Sequence, residues 1–429
     1  MNTWLLLLND VIGKFAVLGM MLVGGHYIWS TYLYFRVAHG KRGPSADIAN
    51  QRIALEDCPH VLLQIPVFNE PNAVEGALMS AVGLEWPRDR LTIQLLDDSD
   101  DETTEIAAAL TEKLRSEGHD VVHVRREHRG GFKAGAMAHG LTLSDAPYIA
   151  VADADFRLPP EWLHATLGPL MADPTAAFCQ CRLDFTAARE TLTSRIQQLA
   201  MDAHFVVEQA GRAWSDLPFQ FNGTGGVWRR DAIEAAGGWD DATITEDLDL
   251  IIRVKTSGRH GLFLMDPAPT GEVPEDFSTW QVQQERWSAG TAQVLSRTFS
   301  HIIEADLPLR SRIALLSMLS PAVFFPSLAV GIITLIIGTV LREGDMFFYW
   351  IEITFVMATA LFAVIAITLP PYLRLKRGSI GRYLQLTLLA PFLYVRLALA
   401  NALAVAKAGT GAESMREFKR TPKSGATDM

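Results

Sequence analysis

Apolar residues are distributed along this chain in two ways. Near both ends they run on almost without interruption, and in the middle they come in short blocks separated by polar stretches. Residues 15–35 carry no formal charge before Arg36 and match the roughly 20 residues that a membrane-crossing helix needs. This run has no basic leader and no small-residue cleavage site, and aromatics crowd its C-terminal edge, so it reads as an uncleaved anchor rather than a signal peptide. Residues 313–341 and 346–369 are two further runs of spanning length. Residues 383–405 form a fourth, with Arg396 in its middle, where a buried charge is expensive.

The flanking charges orient these runs. Arg36, Lys41 and Arg42 follow the first, while Arg374, Lys376, Arg377 and Arg382 separate the third from the fourth. Arg342 is the only basic residue between the second and third. The positive-inside rule then puts the central region and the 371–382 loop in the cytoplasm. A spanning fourth run would put the tail outside. A re-entrant or interfacial one would keep it inside, as Arg416, Lys419, Arg420 and Lys423 favour.

The middle has the pattern of a globular α/β domain. Residues 61–68, 91–98, 121–126 and 148–155 read as strands, and 73–84, 103–117 and 132–143 as the helices between them. That alternation predicts βαβ units and a mostly parallel sheet, whose ligands bind beyond the carboxyl ends of the strands. Residues 41–57 form a polar linker.

Composition narrows the class further. At 429 residues, 49% hydrophobic and net charge −10, the chain is too apolar for disorder, and it lacks the basic surplus of a nucleic-acid binder. Cys58, Cys179 and Cys181 are too few for a disulfide framework and form no CxxC pair. No histidines fall at HExxH spacing, and there is no GxSxG motif.

The candidate chemistry sits at the strand ends. Asp153 and Asp155, two apart on an extended strand, would face one side and could share a hard cation such as Mg²⁺ or Mn²⁺; the alternative is a solvated strand end. Asp97 and Asp98 close a second strand as acceptors for base or ribose, with Asp100 or Asp101 capping the next helix. Lys133 follows Gly130 and Gly131 at a helix start suited to phosphate, in a basic stretch that otherwise only solvates a loop. Thr245-Glu246-Asp247 is either an N-cap with an acidic first turn or a carboxylate aimed at an acceptor hydroxyl. Gln283, Arg286 and Trp287 are either an amphipathic helix surface or a pair of grips, Arg for phosphate and Trp for a sugar face.

Taken in order, DDS, FKAGAM, DAD, ITED and QQERW on a domain between membrane helices resemble the membrane-embedded family 2 glycosyltransferases with their D, D, D, QxxRW pattern. The stretch from Gln180 to Arg229 looks closest to the cellulose-synthase-like mannan and glucomannan synthases. The resemblance implies a GT-A-like domain over 58–305, an anchor over 1–40, membrane helices over 306–407 and a cytosolic tail over 408–429. It also implies the roles. Asp97, Asp98 and Lys133 would hold the nucleotide. Asp153 and Asp155 would hold the diphosphate and its metal, and Gln283 and Arg286 would grip the diphosphate. Asp247 would be the catalytic base, and Trp287, Glu246, Asn222, Gly223 and Thr224 would line the acceptor. Phe418, Thr421 and Lys423 fit an F-x-x-T-x-K gating segment, with Arg420 and Pro422 at its variable positions. The match favours a cytosolic tail and a non-spanning fourth run.

The implied reaction moves a hexose from a UDP-sugar such as UDP-glucose, or from GDP-mannose, to a β-linked polymer with inversion. It runs at the cytosolic face of a bacterial inner membrane, with export partners possible. The alternative is a glycolipid transferase acting on a lipid acceptor. A membrane scaffold with a decayed nucleotide domain would have lost acidic positions, and none is missing.

Overall fold

The computed structural model describes residues 2–342 and 347–410. Its core is a seven-stranded sheet in the order β3-β2-β1-β4-β7-β5-β8. In chain order the strands are β1 (Val61–Val67), β2 (Leu91–Asp97), β3 (Val121–Arg125), β4 (Tyr148–Val151), β5 (Ala176–Cys181), β6 (Asp184–Thr186), β7 (Gly226–Arg229), β8 (His260–Leu264) and β9 (Thr270–Glu272). The β3-β2-β1-β4 half is parallel throughout. β7 enters antiparallel between β4 and β5, and β6 pairs with β9 in a small separate sheet. The expected βαβ alternation is therefore present, and the sheet is mostly parallel. β1 has the continuous burial of a strand covered on both faces, six of its seven residues being fully buried.

Two buried glutamines inside this apolar sheet position a helix. On β1 the Gln64 side-chain amide donates to the Met137 carbonyl at 3.1 Å, and on β2 that of Gln94 donates to the Gly140 carbonyl at 3.0 Å. A Cβ at Gly140 would lie 2.5 Å from both glutamine side chains, so only glycine lets the helix sit this close. The helix is α4 (Phe132–Leu141); α1 (Asn2–Leu33), α2 (Pro71–Val82) and α3 (Thr103–Ser116) precede it. Its first turn, which carries Lys133, is thereby aimed past the carboxyl edge of the sheet.

The remaining long helices are α5 (Trp162–Ala172), α6 (Leu192–Asp202), α7 (Glu246–Thr256), α8 (Phe277–Glu304), α9 (Leu309–Met318), α10 (Pro321–Leu341), α11 (Phe347–Arg374) and α12 (Ile380–Gly409). Among the described residues, four segments are long and apolar enough to cross a membrane: 4–38, 321–341, 349–374 and 380–409. The first helix starts well before residue 15, and the run over 313–341 is two helices, broken between Met318 and Pro321. α1 and α10 meet through small residues, as expected for helices without a hydrophobic drive between them: a Cβ at Gly19 would lie 2.1 Å from Ser327 Oγ.

The loop between α11 and α12 docks on the globular domain. Arg377 pairs with Asp202 at 2.8 Å and also with Asp184 of β6, and Arg374 donates to the Ala38 carbonyl at 3.2 Å. The loop, the end of α1 and the domain therefore share one end of the helical bundle. α12 runs beside α8, with Trp280 edge-on to Tyr394 and Ser288 donating to Asn401 at 2.8 Å. Its partners elsewhere, Phe324 at the start of α10 and Thr368 near the end of α11, lie at the domain side.

Candidate active site

Four chain segments meet beyond the carboxyl ends of β1, β2 and β4: the turn after β4, the start of α4, the loop before β7 and the start of α7. β4 ends at Val151, so Asp153 and Asp155 do not lie on an extended strand as the sequence suggested; residues 154 and 155 form a turn closed by Phe156 N–H on the Asp153 carbonyl at 3.0 Å. The alternation nevertheless persists, with Ala152, Ala154 and Phe156 buried and Asp153 and Asp155 half-buried. The two carboxylates thus share one side of the segment, opposite the buried Ala152, Ala154 and Phe156. An all-oxygen pair of this kind fits a hard divalent cation, whose remaining positions water and phosphate would complete. Among the described residues no group of three or more His, Cys, Asp or Glu gathers as a metal nest.

Lys133 Nζ donates to Asp153 Oδ1 at 2.5 Å and to the Gly223 carbonyl at 2.8 Å, and lies 4.0 Å from Glu246. Burial works against its charge, but Asp153 and Glu246 outweigh it and hold its pKa above the ordinary lysine value. Thr224 Oγ1 accepts from Asp153 N–H at 2.9 Å, so loop 222–224 touches the lysine and the first acidic residue together. Gly223 has φ +72°, and a Cβ there would stand 3.1 Å from Asp247 Oδ2 and 3.3 Å from Lys133 Nζ. The backbone is pressed onto both groups, which explains the glycine.

Asp247 sits in the first turn of α7, its Oδ1 accepting from Leu248 N–H at 2.8 Å. Burial, and next the charge of Glu246, push its pKa up to about 7, with Lys133 opposing. Glu246 is likewise raised, chiefly by burial. Asp249, wholly buried, anchors the helix through Arg253 at 2.7 Å and Arg297 at 3.7 Å.

α8 supplies the opposite charge. Gln283, Arg286, Trp287 and Gly290 follow the i, i+3, i+4, i+7 spacing of one helix face. A Cβ at Gly290 would lie 2.4 Å from the Thr245 side chain, so this face seats directly on the residue before α7. Arg286 is held below the ordinary guanidinium pKa by burial, with Asp153, Glu246, Asp247 and Glu70 supporting its charge. Gln283 accepts from Gln197 of α6 at 2.5 Å, and Trp287 is half-buried.

Asp97 and Asp98 are engaged within the protein. Asp97 is buried, bonded to His123 and to Ser99 N–H, both at 2.8 Å, while Asp98 takes a two-pronged grip from Arg126. Arg126 comes from the basic stretch that reads in sequence as loop solvation, and His123 from β3. Asp101 caps α3 through Thr103 N–H at 2.9 Å, as expected. Phe418, Thr421 and Lys423 lie outside the described residues. Sequence reasoning missed Glu70 and the network behind Asn222, in which Gln180 accepts from Asn222 N–H at 3.2 Å and His204 meets its side chain at 3.0 Å. Glu70 was findable, because it follows β1 at the ligand-binding edge.

Residues 148–370 match the family model described as "Glycosyl transferase family group 2". Glucomannan 4-beta-mannosyltransferase 2 of Arabidopsis thaliana is 38% identical over 258 residues, 59% of this chain and 48% of that protein. Glucomannan 4-beta-mannosyltransferase 1 of Oryza sativa subsp. japonica is 38% identical over 249 residues, 57% and 48% of the two chains. The chain thus spans about half the length of these curated relatives. Among solved structures, mannosyltransferase PcManGT from Pyrobaculum calidifontis, in complex with GDP-Man and Mn²⁺, aligns with a TM-score of 0.62 over 92% of this chain and 99% of that chain. At 16% identity that likeness speaks for the fold.

Proposed function

The chain belongs to glycosyl transferase family group 2, and from that premise we propose that it transfers a hexose from a nucleotide sugar to a growing β-linked polysaccharide, with inversion at the anomeric carbon. The glucomannan mannosyltransferase relatives support an activated mannose, such as GDP-mannose, as donor and a glucomannan-like chain as acceptor. The observation that carries the reading is charge placement. One half-buried carboxylate, Asp247, is poised near neutrality, with Lys133 and Arg286 beside it.

Inversion needs a single base on the face opposite the departing group. Asp247 takes the proton from the acceptor hydroxyl, its oxygen becoming nucleophilic as it attacks the anomeric carbon. Negative charge grows on the departing diphosphate, where Lys133 and Arg286 meet it with cations in a water-poor site. Asp153 and Asp155 would hold a divalent cation, Mg²⁺ or Mn²⁺, which when bound adds positive charge at that diphosphate. The charge of Glu246 raises the basicity of the Asp247 carboxylate, which must be ionised to accept the hydroxyl proton, and Trp287, with Asn222, Gly223 and Thr224, forms the acceptor side. Asp97 and Asp98, braced by His123 and Arg126, shape the nucleotide side. The basic loop between α11 and α12 sits with the domain, which supports a cytosolic catalytic face.

Asp247→Asn should reduce transfer by roughly 10²- to 10⁴-fold while leaving donor affinity close to wild type. Sugar incorporation from labelled GDP-mannose and UDP-glucose, with donor binding by calorimetry, checks this. Unchanged turnover in the variant would remove the base assignment. A lipid-extractable product, in place of polymer, would move the reading to glycolipid synthesis.

A further inference from the structure

Behind the acceptor-side loop, a run of buried and half-buried polar side chains reaches back to the N-terminal membrane helix. Glu208 lies at its centre. His204 Nδ1 is 2.9 Å from Glu208 Oε2, and His26 Nε2, on α1, is 2.5 Å from Glu208 Oε1. Beyond His204, its Nε2 meets Asn222 Nδ2 at 3.0 Å, and Asn222 Oδ1 accepts from Gln209 Nε2 at 2.8 Å. Arg212 adds a buried cation beside His26 and donates to Ser317 of α9 at 3.0 Å.

At His204 the donors and acceptors leave one consistent assignment; at His26, Nε2 faces Glu208 Oε1 and also, at 3.0 Å, the Arg212 guanidinium, which donates to Ser317. An ionised carboxylate only accepts, so each imidazole must present an N–H to Glu208. Burial alone would raise the Glu208 pKa, but the bonds from His204 and His26 bring it well below the ordinary value, so the carboxylate is ionised. With His204 protonated on Nδ1, its Nε2 is an acceptor and takes an N–H from the Asn222 amide. Gln209 donates to the other end of that amide, so both ends of Asn222 are set. The next residue, Gly223, is the one packed against Asp247 and Lys133.

The backbone is shaped for this contact. Residues 203–209 wind as a wide π-helical segment, and α1 ends in another over 34–38. π-Helical turns are rare and cluster at functional sites. The two helices meet at Gly211, where a Cβ would lie 3.1 Å from Tyr34 N and 3.2 Å from the Ser30 carbonyl. Only backbone-to-backbone approach brings His26 within reach of Glu208.

We infer that Glu208, acting through the ring tautomer of His204, is a positioning residue that orients Asn222 for the acceptor, and that His26 ties this setting to the N-terminal membrane helix. The inference rests on the transferase reading above. Its consequence is that the seating of α1 governs acceptor affinity and leaves donor handling alone.

The test uses the full chain in lipid nanodiscs, with GDP-mannose as donor and mannotetraose as acceptor. Glu208→Leu, which removes the acceptor, should raise the acceptor KM roughly tenfold, the effect of one lost buried hydrogen bond, while donor hydrolysis without acceptor stays within about twofold. His26→Leu should do the same, and His26→Gln, which still presents an N–H to Glu208, should keep the wild-type KM. Nitrogen-15 histidine spectra of the wild type should show His204 protonated at Nδ1, a signal lost in Glu208→Leu. An Nε2–H ring at His204 in the wild type, or equal losses in transfer and hydrolysis, would overturn the inference. A wild type that turns over neither GDP-mannose nor UDP-glucose, yet shows the Nδ1–H ring, would overturn the transferase reading and the acceptor role with it, leaving the hydrogen-bonded chain itself intact.

Discussion

An aspartate in the first turn of a helix normally titrates near 4, because water and the helix dipole both favour its anion. Asp247 keeps its proton to about 7 because burial and the neighbouring Glu246 outweigh that dipole. For a base the sign is plain: transfer is present above the raised pKa and fades as pH falls through about 7. For folding the sign reverses, since the native state holds a proton that the unfolded chain gives up near 4, and stability is lost as pH rises between the two values. Removing the Glu246 charge lowers the Asp247 pKa. Glu246→Gln should therefore move the acid limb of the pH–rate profile to lower pH, and an unmoved limb would discount the coupling. Gly223→Ala places a methyl group against Asp247 and Lys133 at a positive φ, so transfer should fall at least tenfold, as misplacement of a reacting group costs. Kinetics on the folded variant check it. In the sequence, Asp247 and Glu246 could be read equally as a cap or as a base. Only the burial of the pair separates the readings.

At the scale of elements, local pattern foretold β1 to β4 and α2 to α4 within a few residues. It failed at the end of β4, where burial alternation outlasts the strand itself. Two glycines do work that periodicity hides. Gly140 seats α4 on Gln64 and Gln94, and Gly290 seats α8 on Thr245. Gly290→Val should push α8 off α7 and weaken both donor and acceptor handling, at a cost of ~1–3 kcal/mol in stability from overpacking. Thermal unfolding and KM for both substrates measure it. α12 is long and apolar enough to cross a membrane, yet its partners lie along α8 and at the domain-side ends of α10 and α11. A tag placed after residue 429 should therefore be labelled from the same face as the globular domain; labelling from the opposite face would make α12 a crossing helix.

For the whole molecule, the domain and the helical bundle are joined by charge as well as by chain. Arg377 between α11 and α12 lands on Asp184 and Asp202, and Asn401 of α12 meets Ser288 on the helix that carries Arg286. Arg377→Ala leaves buried Asp202 without its cation, a loss that typically costs ~3–5 kcal/mol. The variant should unfold earlier in a thermal scan than Arg382→Ala, whose Glu190 partner is exposed. Chelation with EDTA should stop transfer, and Mg²⁺ or Mn²⁺ should restore it. Activity that survives chelation would remove the metal role of Asp153 and Asp155.

The amino-acid order alone determined where apolar runs, strands and helices fall and which acidic clusters close the strands, because periodicity and capping act over a few residues. It determined the family pattern for the same reason, since DDS, DAD, TED and QxxRW are each local. Partnership was decided only by the tertiary structure: Arg126 on Asp98, Lys133 on Asp153, Glu208 between two histidines, and Arg377 on Asp202. Apart from His204 and Glu208, one helical turn from each other, those pairs lie 20 to 182 residues apart, and their charges and protons depend on the burial and close approach that packing creates.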